Sequence, residues 1–100
     1  MNLENLGPYT VATEEIDERK SRKVYKPKDS DKAFLIENPH TIELRTDPKL
    51  GKLLAEKYES VMKSRYFGNQ GIEIVPSGQL TEAEIDDLIR LSYSLTNAKS

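Results

Sequence analysis

The spacing of apolar residues changes at Asp47-Pro48, and this change limits the chain to a fold that mixes strands and helices. Before it, short apolar or alternating runs are separated by clusters of Pro, Asp, Asn and Ser, a pattern typical of strands joined by turns. These strands are expected at 23–27, 33–37 and 41–46, and their short links predict an antiparallel meander. After it, Asp47 suits the N-cap and Pro48 the first position of a helix.

The predicted helix has its apolar residues on one stripe and mostly lysines on the other side. The stripe predicts that the helix ends near Val61 or Met62. The stretch KSRYFGNQG at 63–71 would then connect this helix to a strand. In such a connector, Tyr66 or Phe67 is expected to pack beneath the link.

The C-terminal part begins with GIEIVPSG, which predicts a strand that ends at Pro-Ser-Gly. Thr81 and Glu84 form a capping box, and Leu80 can contact Ile85 as a hydrophobic staple. The pattern predicts a final helix whose buried stripe is Ile85, Leu88, Ile89, Ser92 and Leu95, with Tyr93 at its edge. The sequence therefore predicts an α+β fold, a small antiparallel sheet of about four strands with two helices packed on it. Its core is expected to come mainly from Tyr25, Phe34, Ile36, Ile42, Leu44, Leu50, Leu53, Leu54, Tyr58, Ile72, Ile74, Ile85, Leu88 and Ile89.

The N-terminal residues are charged and weakly patterned, and two structures remain open for them. In EEIDERKSRK the acids precede the bases, an order that suits the dipole of a helix with Thr13 as its N-cap. Ile16 is the only apolar residue of that stretch, so such a helix would bury almost nothing. The alternative is a strand at 9–13. The predicted organisation is a charged segment at 1–23 followed by an α+β domain at 24–100.

The composition bounds the size and class of the protein. One hundred residues with 36% hydrophobic and 32% charged residues predict one domain with a modest core. The absence of cysteine excludes disulfides, thiol nucleophiles and Cys-based zinc sites, and it suggests a reducing, cytoplasmic location. No signal peptide is visible, and the longest apolar run, AFLI, is too short to span a membrane. The net charge of −2 means that binding to nucleic acid would need local clusters of cations.

Residues that could carry catalysis or bind a metal are few. His40, the single histidine, lies in an Asn-Pro-His turn and is expected to be solvated. No Ser or Thr has a visible base partner. Four carboxylates, Glu82, Glu84, Asp86 and Asp87, fall in the first turns of the last helix, where free N–H groups favour negative charge. Weak binding of a hard cation is the alternative interpretation. We therefore expect no enzyme activity, no cofactor, no metal and no small-molecule substrate.

Two basic clusters are the features most suggestive of a partner. Arg22, Lys26 and Lys28 would share one face of a strand, and Lys63 and Arg65 stand beside a Tyr-Phe pair. Cations next to aromatic rings are typical of surfaces that follow a nucleic-acid backbone. Ordinary solvated faces are the alternative, because four acids lie just upstream of the first cluster.

Four blocks of the chain from Val24 onward resemble the MmcQ/YjbR family, in the family's order. They are VYKPKDSDKAFLI, TIELRTDP, LGKLLAEKYESV and SYSLT. The resemblance implies a CyaY-like fold and the double-wing DNA-binding arrangement that has been proposed for members of the family. Two features depart from the family pattern. The segment 1–23 replaces a longer first helix, and YFGNQGIE lacks the His, Lys and Trp that relatives place there.

Two functions are therefore expected as alternatives. The first is a nucleic-acid-associated module that binds DNA through Arg22, Lys26, Lys28, Lys63 and Arg65. It requires the two basic clusters to meet on one face. The second is an accessory domain that binds a protein partner through the charged residues 14–23, without contacting nucleic acid. No membrane contact is expected of either.

Overall fold

The computed structural model describes residues 1–97, which form a six-stranded antiparallel sheet with two helices on one face. The last three residues of the predicted 24–100 unit lie outside the described residues. The strands are β1 (Tyr9–Asp17), β2 (Lys20–Pro27), β3 (Leu35–Glu37), β4 (Ile42–Arg45), β5 (Val61–Ser64) and β6 (Gly68–Ile74), and the helices are α1 (Pro48–Lys57) and α2 (Glu82–Asn97). Their order in the sheet is β1-β2-β3-β4-β6-β5. The α+β prediction with two helices on an antiparallel sheet is confirmed, with six strands in place of about four.

The first additional strand is β1, which pairs with β2 along almost its whole length. The strand alternative at 9–13 is therefore confirmed, and the strand continues to Asp17. A helix after Thr13 is wrong, because residues 14–17 continue the strand. All nine β1 residues are exposed, although the Tyr9 ring centre lies 5.9 Å from that of Tyr25 and 6.2 Å from that of Phe34, so hydrogen bonding to β2 contributes more than burial to holding this strand in place. The expected division at residue 23 falls inside β2, and the sheet is continuous across it.

Helix α1 begins as the sequence predicts and ends earlier. The Asp47 carboxylate accepts the Lys49 backbone N–H at 2.8 Å, and Pro48 takes the first helical position. The helix ends at Lys57 rather than near Val61. Val61 suits a helical stripe and a buried strand equally well. It pairs with Ile74 and therefore belongs to the strand β5, where it is only 3% exposed.

Helix α2 begins with the predicted capping box. The Glu84 carboxylate accepts the Thr81 N–H at 3.0 Å, and the Thr81 hydroxyl accepts the Glu84 N–H at 3.1 Å. The buried stripe is rotated from the predicted one: Leu95 is 44% exposed, whereas Tyr93 is buried and donates its hydroxyl to the Pro8 carbonyl. In the described part of the chain, no helix combines the length and apolar character needed to cross a membrane.

The main core lies between the sheet and the two helices. Twelve buried residues form it: Tyr25, Phe34, Leu35, Ile42, Leu44, Val61, Ile72, Ile74, Leu80, Ile85, Ile89 and Tyr93. Of the other predicted core residues, Leu53 is 63% exposed and Leu50 is half-buried, and both lie outside the core clusters, whereas Leu54, Tyr58 and Leu88 pack against the main core half-buried. Ile36 is buried, but in a second cluster with Val24 and Ala33. We call the sheet face that carries this second cluster, opposite the helices, the open face.

Candidate functional site

A pair of buried carboxylates lies at the centre of the open face. Side chains alternate along a strand, so the residues that follow the core positions of β4 and β6 point to the open face. On β4 that residue is Glu43 and on β6 it is Glu73, and the two are direct cross-strand partners. Only 2% of Glu43 and 3% of Glu73 are exposed. Two neighbouring buried carboxylates need compensating donors, because an unpaired buried charge is strongly destabilising.

Glu43 receives its donors from the β3–β4 turn, from the end of β5 and from the loop that follows β5. It accepts the side-chain N–H of Asn38 at 2.8 Å, the Ser64 hydroxyl at 2.8 Å and the Tyr66 backbone N–H at 2.9 Å. Burial alone would raise the pKa of Glu43, but these hydrogen bonds stabilise the ionised form and hold its pKa below the usual value. Glu43 is therefore a charged anchor for the segment between β5 and β6.

Arg65, which lies in the segment between β5 and β6, neutralises the charge of Glu73. The Arg65 guanidinium donates to both of its oxygens, at 3.0 and 2.8 Å, and the Thr41 hydroxyl donates at 2.6 Å. The pairing is asymmetric, because 77% of the Arg65 side chain is exposed and only 4% of the Glu73 side chain is. The bond to Glu73 raises the pKa of Arg65 above its already high value. Arg65 is thus held at the surface by a buried partner, with much of its guanidinium facing solvent.

The stretch KSRYFGNQG is the β5–β6 hairpin and its loop, so its expected role as a helix-to-strand connector is wrong. Residues 64–67 fold back across the open face, as the bonds to Glu43 and Glu73 require. Phe67 packs on the Val24 cluster, which agrees with the expectation that one of the two aromatics packs beneath the link. The Arg45 guanidinium lies 4.9 Å from the Phe67 ring centre, and Tyr66 stands edge-on to Phe67.

Two of the five predicted site residues converge on this loop. Arg22 of β2 places its guanidinium 5.0 Å from the centre of the Tyr66 ring and also pairs with Glu14 at 2.9 Å. Arg22, Arg65 and Tyr66 line a depression of about 330 Å³ on the open face, together with Ile16, Asn38 and Glu43. We call this depression the arginine–tyrosine site. Tyr66 is 39% exposed within it.

The other three predicted residues lie elsewhere. Lys26 shares the open face with Arg22, because both follow the alternation of β2. Lys28 follows the end of β2 and donates its backbone N–H to the Pro8 carbonyl. Lys63 is paired with Ile72 and lines a groove of about 470 Å³ between α1 and the β5–β6 hairpin, on the helix side of the sheet. The two basic clusters therefore meet only in part. Arg22 and Lys26 of the first share the open face with Arg65 of the second, which reaches it because the loop crosses the sheet, whereas Lys63 lies on the helix side.

The two glutamates and Ser64 are residues that sequence reasoning missed. Alternation in IEL and GIEI indicates that Glu43 and Glu73 point away from the core. It does not show that they are buried, because Glu43 is covered by Asn38 of the β3–β4 turn and by Ser64 and Tyr66, which lie 21 and 23 positions away in the sequence. His40 is exposed in its turn, as expected. Within residues 1–97, no three His, Cys, Asp or Glu side chains are grouped in a way that could hold a metal ion.

Comparisons with known proteins support the fold and do not assign a function. No protein-family model and no curated protein matches the sequence. A crystal structure of a protein from Pseudomonas syringae, solved in a structural genomics programme, matches with a TM-score of 0.68. The match covers 87% of each chain at 20% identity, a level at which the likeness concerns the fold alone.

Proposed function

We propose that this protein is a nucleic-acid-associated domain that binds single-stranded DNA at the arginine–tyrosine site. The observation that carries the proposal is the meeting of Arg22 and Arg65 beside the exposed ring of Tyr66, on a sheet face that neither helix covers. Open antiparallel sheets with aromatic and cationic side chains bind unpaired bases by stacking, while the cations contact phosphates. The resemblance to the MmcQ/YjbR family, with its proposed DNA-binding role, supports the same class of ligand.

A single strand fits this surface better than a duplex. Arg22 and Arg65 each already pair with a carboxylate, and the chain carries a net charge of −2. Phosphate neutralisation alone, the main source of affinity for a duplex, is therefore weak here. Stacking of a base on Tyr66, or on the guanidinium of Arg22, adds affinity that needs no excess charge, but it requires an unpaired base. The proposal places this activity in the cytoplasm, in agreement with the cysteine-free sequence.

The test is a titration of a labelled oligothymidine and of a duplex of equal length, followed by fluorescence anisotropy. Full phosphate contacts by Arg22, Lys26 and Arg65 would give log K a slope of about −2 against log salt. Because both arginines are already paired with carboxylates, the expected slope is shallower than this limit. The duplex should bind more weakly. The absence of single-strand binding at low salt, where phosphate contacts are strongest, contradicts the proposal.

Two lysines provide a matched pair of variants. Lys26→Gln removes a cation from the open face, whereas Lys63→Gln removes one from the helix side. Lys26→Gln should reduce the salt slope by about 0.7, and Lys63→Gln should leave it unchanged. Tyr66→Ala should weaken binding by about tenfold at every salt concentration, because a stacked base contributes roughly 1–3 kcal/mol. Equal effects of the two lysine variants would place the ligand elsewhere.

A protein partner bound through residues 14–23 is the second candidate, and one observation favours it. The pairing of β2 with β3 begins at Lys23, so the hairpin residues from Glu14 to Arg22 extend past β3 as a two-stranded arm. Deletion of this region would also remove β1 from the sheet, so charge reversal is the cleaner test. The double variant Glu15→Lys/Glu18→Lys should abolish co-purification of such a partner while preserving the circular dichroism spectrum. Retention of the partner would show that the arm is not the contact.

A further inference from the structure

The outer edge of β1 exposes unpaired backbone groups, and their positions follow from the contacts of β2. The Lys28 N–H donates to the Pro8 carbonyl at 2.9 Å, so even-numbered residues of β1 direct their backbone groups towards β2. Tyr9 stands opposite Pro27, which has no N–H to donate. This agrees with the alternation, because odd-numbered residues of β1 then form no hydrogen bonds to β2. The N–H and C=O groups of Tyr9, Val11 and Thr13 therefore point away from the sheet. Within the described residues, β1 has no strand on that side.

The two edges of the sheet differ in how well they are protected against another strand. The opposite edge is β5, which has only four residues, and short edge strands discourage pairing. In β1, the acids at 14, 15 and 17 and the irregular register near Asp17 protect the second half of the strand. The first half, residues 9–13, contains no charge, no proline and no bulge. Residues 9–13 are thus the part of the two sheet edges that has no feature to discourage pairing with another strand.

We propose that β1 pairs antiparallel with β1 of a second copy of this chain, about a two-fold axis at Val11. In this register, Val11 lies opposite its own copy, and Tyr9 lies opposite Thr13 of the partner subunit. All three residues use the backbone groups that point outward. A register centred on Glu14 brings Glu14 opposite Glu14, and like charges directly opposite are destabilising. Registers centred on residue 12 or 13 bring Glu15 opposite Tyr9 or Val11, so that an acid faces the uncharged half of the strand. The charge pattern therefore selects the end of the strand at which the two copies meet.

The surface chemistry favours a second copy over another occupant. Tyr9 and Val11 are 36% and 48% exposed, and the register places the apolar pair Val11–Val11 at its centre. A basic extended peptide would be attracted to the acids at 14–18, outside this register, and an acidic peptide would be repelled by them. An uncharged strand that complements itself makes an isologous contact, as closed two-fold dimers require.

The dimer joins two six-stranded sheets into one continuous sheet. The two-fold axis of an antiparallel pair is perpendicular to the sheet, so both open faces lie on the same side. The arginine–tyrosine sites of the two copies would then face the same ligand. The dimer does not depend on that ligand, and it is tested without it.

The first test measures the mass of the full chain by sedimentation equilibrium up to millimolar concentration. The expected mass is twice 11.4 kDa at high concentration. Val11→Lys places two ammonium groups at the axis and should raise the dimer dissociation constant by about tenfold or more. Ile16→Lys is the matched control, because Ile16 is 47% exposed and lies outside the register. A monomer at all concentrations, or equal effects of the two variants, overturns the proposal.

The second test uses the absence of cysteine from the chain. Residues that exchange backbone hydrogen bonds across an antiparallel pair have Cα atoms about 5.5 Å apart, within the range for a disulfide. Val11→Cys should therefore form a cross-linked dimer on mild oxidation, and Ile16→Cys should not. This test stays informative even if the lysine variant fails to fold. Cross-linking of Ile16→Cys in preference to Val11→Cys would overturn the register.

Discussion

Replacing Glu43 by glutamine tests the central claim about the open face, that an ionised carboxylate anchors the β5–β6 loop. Glutamine keeps the shape and the side-chain length of glutamate. It retains one carbonyl oxygen, which can still accept the Ser64 hydroxyl and the Tyr66 N–H. The second oxygen becomes an NH₂ group, which faces the Asn38 amide N–H at 2.8 Å and cannot accept it.

The expected loss of stability follows from these contacts. Two retained hydrogen bonds lose their ionic character, at about 1 kcal/mol each, and the third donor loses its acceptor at a further cost of roughly 1 kcal/mol. Burying a neutral amide costs less than burying a carboxylate, which offsets part of the loss. We expect the free energy of unfolding of Glu43→Gln to be roughly 2 kcal/mol below that of the unmodified protein at neutral pH.

The pH dependence gives this prediction a definite sign. The pKa of Glu43 is lower in the folded chain than its usual value of 4.5, so the unfolded chain binds more protons between the two values. Its contribution to stability is therefore present above pH 4.5 and is lost as the pH falls through the folded value. The capping bonds from Thr81 lower the pKa of Glu84 in the same direction, but they do so in both proteins. The gap between unmodified protein and Glu43→Gln should therefore shrink in acid.

Urea unfolding followed by circular dichroism, at neutral pH and at several values below 4.5, measures both effects. Glu15→Gln is the control, because Glu15 is an exposed strand residue and its loss should change stability by less than about 0.5 kcal/mol. A Glu43→Gln protein within about 0.5 kcal/mol of the unmodified one, or a gap that widens in acid, would refute the anchoring role.

Three further substitutions test individual packing features by the same unfolding assay. Thr81→Ala removes the hydroxyl half of the α2 capping box and should cost about 1 kcal/mol, whereas the exposed neighbour Glu82→Gln should cost less than about 0.5 kcal/mol. Thr46→Val replaces a buried hydroxyl that has no hydrogen-bond partner by a methyl group of similar size, and it should stabilise the protein by about 1 kcal/mol. If this variant is less stable, the hydroxyl does have a partner. Gly71→Ala places a Cβ 2.5 Å from the Phe67 Cβ and 2.6 Å from the Leu44 carbonyl oxygen, so it should cost about 2 kcal/mol or more; a neutral result would mean that the loop moves freely away from the sheet.

The parts of the fold that could be predicted are those encoded by neighbouring residues. The capping box at Thr81 and the Asp47-Pro48 pair specify helix starts within a single turn, and alternation specifies β4 from four consecutive side chains. The orientation of α2 was less well determined. Apolar side chains at Leu91 and Leu95 broaden its apolar surface, and only packing on Phe34 selects Tyr93 for the buried side.

Elements that depend on a partner strand could not be predicted with the same certainty. Every residue of β1 is exposed, so nothing in its sequence replaces the pairing with β2 as the source of its structure. Val61 fits a helical stripe and a strand equally well, and its position opposite Ile74 decides between them. Hydrogen-bonding partners distant in sequence do not appear in a local pattern.

The same distinction separates the ingredients of the candidate site from the site itself. The sequence alone determined that Arg22, Arg65 and Tyr66 belong to two clusters of cations and aromatics, and that Glu43 points away from the core. Only the tertiary structure decided that the loop after β5 folds across the sheet and buries Glu43, which brings Arg22 to Tyr66. The physical reason is that the burial of a side chain depends on what covers it, and that burial in turn sets how strongly a charged group interacts with its neighbours. Here that cover comes from a loop more than twenty residues away in the sequence.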